Sequence, residues 1–163
     1  MVIKEKMQKA LNKQINAELY SSYLYLAMAA YFEAHNLLGF ANWMKVQARE
    51  ENAHAMKFYE YVIERGGKVI LTAIDAPDTE WKSSLSAFEA AYGHELKVTE
   101  LIHDLVRLAQ SEHDYATESM LQWFVNEQVE EEASASLIVE KLKLIKEAPN
   151  GLFMLDKELG ERK

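Results

Sequence analysis

The chain has 163 residues, of which 49% are hydrophobic, and this is enough for one well-packed core. Its formal net charge of −8 disfavours nucleic acids and anionic membranes as partners and would attract cations. It has no cysteine, which excludes disulfides and thiolate metal sites, and no run near the ~18 apolar residues of a membrane span. With no signal peptide at its start, we expect a cytoplasmic protein.

Apolar residues that recur with alternating spacings of three and four predict four long amphipathic helices, followed by one short helix. Two glycines at 66–67 stop the second helix, and the serines at 83 and 84 are suitable N-caps for the third. The predicted helices run from Ile3 to Phe32, from the 35–39 loop to Arg65, from Ser83 or Ser84 to about Ser111, from the 111–114 break to about Glu147, and from Leu152 to Leu159.

The lengths of the connections predict the topology. Short links at 35–39 and 111–114 each join two helices into an antiparallel hairpin. The segment 68–82 could span up to about 50 Å, whereas a helix of about 26 residues is only about 39 Å long. It can therefore cross the whole bundle and leave helices two and three parallel. We predict an all-α four-helix bundle with one long crossover, as a single domain over residues 1–163, with the bundle at 3–147 and a short fifth helix at 152–160.

An acidic residue interrupts the apolar stripe of each long helix near its middle. Counted from the hairpin turns at about 1.5 Å per residue, all of them lie about 20–25 Å along their helices, so they can meet at one level. A buried carboxylate is costly unless it gains a proton, a partner or a metal. The residues are Glu18 on the first helix, Glu51 and His54 on the second, Glu95 on the third, and Gln128 and Glu131 on the fourth.

Four carboxylates and one imidazole at one level suit a pair of divalent cations. Glu51 can bridge the two ions, since a carboxylate has two oxygens; Glu18 and His54 then complete one site, and Glu95 and Glu131 the other. Oxygen-rich ligation with one nitrogen fits iron or manganese better than structural zinc. The alternative is a set of buried ion pairs, but the stripes offer no lysine or arginine at this level.

Three segments carry a specific resemblance, and it extends over essentially the whole chain, including GLFMLDKELG at 151–160. They are YSSYLYLAMA at 20–29, REENAHAMKFYEYVIERGG at 49–67 and WFVNEQVEEE at 123–132. These segments closely resemble the non-haem ferritins of bacteria and archaea, which implies a ferritin-like fold. The resemblance also implies an iron-storage subunit with ferroxidase activity, which oxidises Fe(II) with O2 and deposits ferric mineral in a protein cage.

The resemblance assigns roles to the interrupted stripes. It places the first ferroxidase iron at Glu18, Glu51 and His54, and the second at Glu51, Glu95 and Glu131. Gln128 resembles a residue that hydrogen-bonds near the second iron. Tyr25 resembles a tyrosine implicated in electron transfer to dioxygen, and Trp123 another redox-active neighbour; for both aromatic residues the alternative is core packing.

A third iron site is also implied by the resemblance. It would consist of Glu50, Glu127 and Glu130, with Glu131 shared. The spacing is physically reasonable, since Glu127 and Glu130 lie one helical turn apart beside the buried stripe. The alternative is a solvated acidic face, which the sequence EQVEEE alone would suggest.

At two positions the sequence differs from bacterioferritins and rubrerythrins, and these differences favour a non-haem ferritin. Bacterioferritins and rubrerythrins repeat Glu-x-x-His on the fourth helix, whereas Glu131 is followed three positions later by Ser134. Bacterioferritins place a haem-ligating methionine after the bridging glutamate, where this chain has Asn52. We therefore expect no haem.

Ferritins with a short terminal helix usually form cages of 24 subunits, which implies a homo-oligomer here. The remaining histidines, His35, His94, His103 and His113, are expected at surfaces or contacts.

Two rival functions remain open at this stage. One is a di-iron oxidase for an organic substrate, which would need a wide apolar cavity beside the metals, where Tyr25, Phe58 and Phe124 are expected instead. The other is a cage that stores metal without oxidising it, as subunits lacking some of the ligands do.

Overall fold

The computed structural model describes residues 2–163, and every regular element within them is an α-helix. The fold confirms the predicted all-α bundle with a short terminal helix. The helices are α1 (Glu5–Ala34), α2 (Leu38–Glu64), α3 (Ser84–Ser111), α4 (Tyr115–Ile145) and α5 (Pro149–Gly160). No helix among the described residues combines the length and the apolar character needed to cross a membrane.

Most helix boundaries agree with the sequence prediction, and the exceptions have local causes. The α1 helix begins at Glu5, because the backbone of Lys4 before it is extended (φ −71°, ψ 148°), and the N–H of Ile3 donates to the carbonyl oxygen of Arg65 at 3.0 Å. The α4 helix ends at Ile145 because Lys146 and Glu147 both have positive φ angles, of 52° and 61°. The α5 helix begins at Pro149, three residues earlier than predicted, since proline fits the first turn of a helix without losing a hydrogen bond.

The crossover between α2 and α3 runs along α1. Asn12 holds it at two points, donating to the carbonyl of Lys68 at 2.8 Å and accepting from the N–H of Ile70 at 2.8 Å. One turn further, the side chain of Asn16 donates to the carbonyl of Ala73 at 3.0 Å. Side-chain amides thus satisfy the backbone of a segment that has no regular structure of its own.

The apolar core is divided into two clusters with the acidic residues between them. One cluster includes Met28, Met44, Phe88 and Ile138, and the other includes Leu11, Phe58, Ile102 and Leu121. Along α2 and α3 the chain passes from the first cluster to the second, and along α1 and α4 it passes in the opposite direction. Helices α2 and α3 are therefore parallel, as the long crossover predicted, and each helix carries its acid between two apolar layers.

The terminal helix α5 packs on the first turn of α2. The carboxylate of Asp156 accepts from the backbone N–H groups of Gly39 at 2.8 Å and Phe40 at 3.0 Å, so it caps a helix that has no side-chain cap of its own. A Cβ atom placed on Gly39 would lie 1.6 Å from the carbonyl oxygen of Asp156. Only glycine permits this close approach.

We expect Gly39→Ala to lower the melting temperature clearly, because the new methyl group must push α5 away from α2. The expected loss is about 2–4 kcal/mol, the range for a clash in a packed contact plus a lost cap. Gly93→Ala is the matched control: a methyl group there would meet nothing within 4 Å, and the change should gain about 0.5–1 kcal/mol in the helix interior. Equal effects of the two substitutions on thermal unfolding would contradict this packing.

Candidate metal centre

The residues that interrupt the four stripes lie at one level of the bundle and are buried. Glu18, Glu51, His54, Glu95 and Glu131 are each at most 6% exposed. Each helix contributes its side chain from the position between the two apolar clusters, so the bundle geometry itself brings them together.

Three groups of these side chains are close enough to share a cation. Within each group, one potential ligand atom per residue lies within 4.8 Å of the others. The three groups are Glu18 with Glu51 and His54, Glu51 with Glu95 and Glu131, and His54 with Glu127 and Glu131. Glu51 is shared by the first two groups, which is the arrangement that a bridging carboxylate needs.

The imidazole of His54 faces carboxylates on both sides. Its Nδ1 lies 3.3 Å from Oε2 of Glu51 and 3.9 Å from Oε2 of Glu18. Its Nε2 lies 3.8 Å from Oε1 of Glu127. The ring also packs edge-on against Trp123, with the ring centroids 5.4 Å apart. Trp123 is 40% exposed, so it borders the site at its surface rather than filling the core.

One buried oxygen in the site has no hydrogen-bond donor. Gln14 donates to Oε1 of Glu18 at 3.0 Å, but Oε2 of the same carboxylate accepts no hydrogen bond from the described residues. A buried carboxylate oxygen without a partner is costly. It faces His54 and Glu51, so a cation held by these three residues would satisfy it.

Burial raises the pKa of all four carboxyl groups. Desolvation is the largest cause in each case, and for Glu18, Glu51 and Glu131 the next cause is the charge of a neighbouring carboxylate. The pKa of Glu131 rises to about 8. Without a cation, Glu131 therefore holds a proton near neutral pH. A divalent cation can replace that proton and neutralise the carboxylate charge.

Amide and hydroxyl groups orient the carboxylates. Tyr25 donates a short hydrogen bond to Oε1 of Glu95, and Gln128 donates to Oε2 of Glu95 at 3.2 Å. Gln47 donates to Oε1 of Glu51 at 3.0 Å and also to Oε2 of Glu131. Both oxygens of Glu95 thus accept hydrogen bonds, whereas one oxygen of Glu51 and one of Glu131 have none of these donors and are available to a cation.

Sequence reasoning did not assign a role to Gln14 or Gln47. Both lie four residues before a stripe acid, a spacing that places two side chains on the same helix face. The sequence signal for such a residue is an amide one helical turn before a buried carboxylate. This signal is informative only if the amide side chain is itself buried, and both Gln14 and Gln47 are buried.

The residues expected at a third metal site are only partly brought together. Glu127 belongs to a group with His54 and Glu131, as described above. Glu50 instead forms an ion pair with Arg162 at 3.0 Å, and Glu130 is exposed. Neither Glu50 nor Glu130 joins a group of three potential ligands within residues 2–163.

His94, one of the four histidines expected at surfaces or contacts, lies deeper in the bundle than predicted. The Nε2 of His94 is 2.7 Å from the hydroxyl of Ser21, and its ring packs beside those of Tyr20 and Tyr25. Burial, with a smaller effect of Lys97, lowers the pKa of His94 to about 4. Its neutral ring supports the aromatic residues behind Glu95.

Comparison with known proteins assigns this chain to a family. Residues 8–145 match the family of the ferritin-like domain. The chain belongs to the ferritin family. It is 47% identical to a bacterial non-heme ferritin of Bacteroides fragilis, over 99% of this chain and 100% of that protein. It is 41% identical to a bacterial non-heme ferritin of Staphylococcus saprophyticus, over 99% and 96% of the two chains.

Solved structures show the same ferritin fold. An open-pore ferritin from the archaeon Archaeoglobus fulgidus is 58% identical and has a TM-score of 0.98, over 99% of each chain. A closed form of that ferritin, engineered by mutagenesis, is equally similar, over 99% of this chain and 98% of the other. The family and the fold implied by the resemblance are therefore confirmed.

Proposed function

We propose that this ferritin stores iron and oxidises it first, as a ferroxidase that uses two Fe(II) ions and dioxygen as substrates. The observation that carries the proposal is the buried group of four carboxylates and one imidazole, in which one oxygen of Glu18 has no hydrogen-bond donor among the described residues. Hard carboxylate oxygens and a single nitrogen are a donor set that suits iron.

The first iron would bind to Glu18, Glu51 and His54, and the second to Glu51, Glu95 and Glu131. These are two of the three groups whose ligand atoms lie close together. Each iron would give up one electron, and these two electrons with two protons would convert dioxygen to hydrogen peroxide. Anionic ligands favour the ferric product, because they stabilise the higher charge.

Tyr25 and Gln128 would act on the second iron through Glu95, to which both donate hydrogen bonds. The phenol of Tyr25 is buried, and burial raises its pKa well above the usual value. It therefore remains protonated, so an electron that leaves the phenol would have to leave together with its proton. Beyond the site, the stacked rings of Phe58 and Phe124, with centroids 4.1 Å apart, fill the space that an organic substrate would need.

We keep the third metal site of Glu50, Glu127, Glu130 and Glu131 as part of the proposal. The position of Glu127, 3.8 Å from His54 Nε2 and grouped with Glu131, supports a cation there. Glu50 and Glu130 would have to turn towards it, which their partial or full exposure permits.

We further propose a single ferritin-like domain that assembles as a homo-oligomer, with 24 subunits around an iron-storing cavity in the cytoplasm, and without haem. The open and closed forms described for the A. fulgidus relatives support an assembly that encloses a space. Size-exclusion chromatography tests this part of the proposal: a stable monomer would contradict it.

Glu18→Ala and His54→Ala should each slow aerobic Fe(II) oxidation by about 10–100-fold, since each removes a ligand of the first iron and neither belongs to the group proposed for the second. The ferric absorbance after mixing with Fe(II) measures the rate, and metal counting on the assembled particle measures storage. Unchanged rates would refute the assigned site. Storage without oxidation in the unaltered protein would instead favour a cage that only stores metal.

A further inference from the structure

The residues that follow α5 pack against α2 beside the metal centre. The side-chain amide of Asn42 on α2 donates to three backbone carbonyls at the end of α5 and beyond: those of Leu159 at 3.3 Å, Gly160 at 3.4 Å and Arg162 at 2.9 Å. The residues after α5 are thereby held along the surface of α2.

Arg162 lies across three successive turns of α2. Its Nη1 donates to the carbonyl of Trp43 at 3.1 Å, and the guanidinium lies 4.3 Å from the centre of the Trp43 ring. Its Nη2 donates to Oε1 of Gln47 at 2.9 Å and to Oε2 of Glu50 at 3.0 Å. The side chain is 22% exposed, so this ion pair is partly shielded from water, unlike an ordinary surface pair.

The contact with Gln47 fixes the orientation of an amide inside the site. Arginine can only donate hydrogen bonds, so the oxygen of Gln47 must face Arg162 and its NH2 group must face inward. That NH2 group donates to Glu51 and to Glu131. A continuous chain of hydrogen bonds thus links the C-terminal segment to the carboxylate that both irons would share.

The contact between Arg162 and Glu50 makes the Glu50 carboxylate less available to a metal ion. Glu50 is one of the residues assigned above to the third metal site, yet its carboxylate is paired with the guanidinium. A cation that needs Glu50 must compete with Arg162 for it, because a carboxylate oxygen that accepts from a guanidinium is less available as a ligand.

We propose that Arg162 is a positioning residue that controls the third metal site. It holds Glu50 away from the site while the site is empty, and it holds Gln47 in place over the two-iron centre. Binding of a third divalent cation transfers Glu50 from Arg162 to the cation. This inference rests on the proposed function, since it concerns the same centre.

The test is a calorimetric titration of the metal-free assembled protein with Co2+, which fits such ligands but is not oxidised as Fe(II) is. In Arg162→Gln we expect the weakest Co2+ step to tighten about tenfold, because a charge-assisted hydrogen bond to Glu50 no longer competes. The first two steps should weaken by less than about threefold, because Gln47 loses the donor that orients its amide but keeps its own contacts with Glu51 and Glu131. Arg162→Lys keeps a charge beside Glu50 but loses the guanidinium fork that also reaches Gln47 and stacks on Trp43, so its weakest step should lie between those of the unaltered protein and Arg162→Gln.

Two controls distinguish the release of Glu50 by Arg162 from a general effect of removing a positive charge. Arg107→Gln removes an exposed arginine on α3 that pairs with Asp104 and Glu100, and it should leave every step unchanged. In a Glu50→Gln background, Arg162→Gln should no longer tighten the weakest step, since the residue that it releases is gone. Tightening that persists without Glu50 would show a general charge effect and overturn the inference.

Other outcomes are equally decisive. Weaker binding at all three steps in Arg162→Gln would indicate a structural role and overturn the inference, as would an unchanged weakest step. If the unaltered protein binds no Co2+, the proposed function itself fails. If it binds two ions and never a third, only the third site and its control by Arg162 fail.

Discussion

Replacing Glu51 by glutamine is expected to slow Fe(II) oxidation by at least about 100-fold, the largest effect of any single substitution in the centre. Glu51 is the residue shared by the two groups of ligand atoms proposed for the two irons. Glutamine keeps the volume and can still meet Gln47, but it offers one neutral oxygen in place of two charged ones. Both irons should therefore bind more weakly, not just one.

Stopped-flow measurement of ferric absorbance, together with a Co2+ titration, distinguishes this outcome from that of His54→Ala. Glu51→Gln should weaken both tight steps, whereas His54→Ala should weaken one. The matched control is Glu89→Gln, which removes an exposed carboxylate from α3. A Glu51→Gln protein that retained one tight Co2+ step would show that Glu51 does not bridge.

The bundle and the level of its acids could be predicted from the sequence because both follow from helical periodicity. A carboxylate at a stripe position is visible as a break in the apolar pattern, and the loop lengths determine which helices are antiparallel. The depth of Glu18 and Glu95 along their helices then follows from the rise per residue. Both residues are buried, and each has a potential ligand atom close to Glu51, which agrees with that estimate.

The partners of the acids could not be predicted in the same way. Gln47 is a stripe residue like its neighbours, and its contacts with Glu51 and Glu131 depend on the rotation of two helices about their axes. The pairing of Glu50 with Arg162 depends on the path of the chain after α5, which no periodicity determines. The start of α5 at Pro149 was also not predicted, since a proline can follow the end of one helix or occupy the first turn of the next.

The division of the core into two clusters explains how the fold tolerates the centre. Apolar layers on both sides of the acids provide the stability, so the central level can carry groups that destabilise the metal-free protein. The amount by which these carboxyl groups lower the free energy of unfolding depends on pH, because their pKa values differ between the folded and the unfolded chain.

We expect the metal-free protein to lose stability between pH 5 and pH 8, relative to a Glu131→Gln variant. The pKa of Glu131 is about 8 in the folded protein and near 4.5 in the unfolded chain. Below pH 4.5 both states hold the proton, and no stability is lost. As the pH rises towards 8, the unfolded chain releases its proton while the folded protein retains it, which favours unfolding. Since one pKa unit corresponds to about 1.4 kcal/mol, the total loss is on the order of 5 kcal/mol.

Urea unfolding of chelator-treated protein at fixed subunit concentration, at each pH from 5 to 8, measures this difference. The midpoint of the unaltered protein should fall steadily below that of Glu131→Gln, whereas Glu89→Gln should follow the unaltered protein. A saturating divalent cation should restore the unaltered protein at pH 8 more than it restores Glu131→Gln, because the cation replaces the proton that Glu131 would otherwise need. Parallel curves for the two proteins would mean that Glu131 ionises normally and that the centre is solvated, in which case the buried carboxylates would not by themselves draw cations into the bundle.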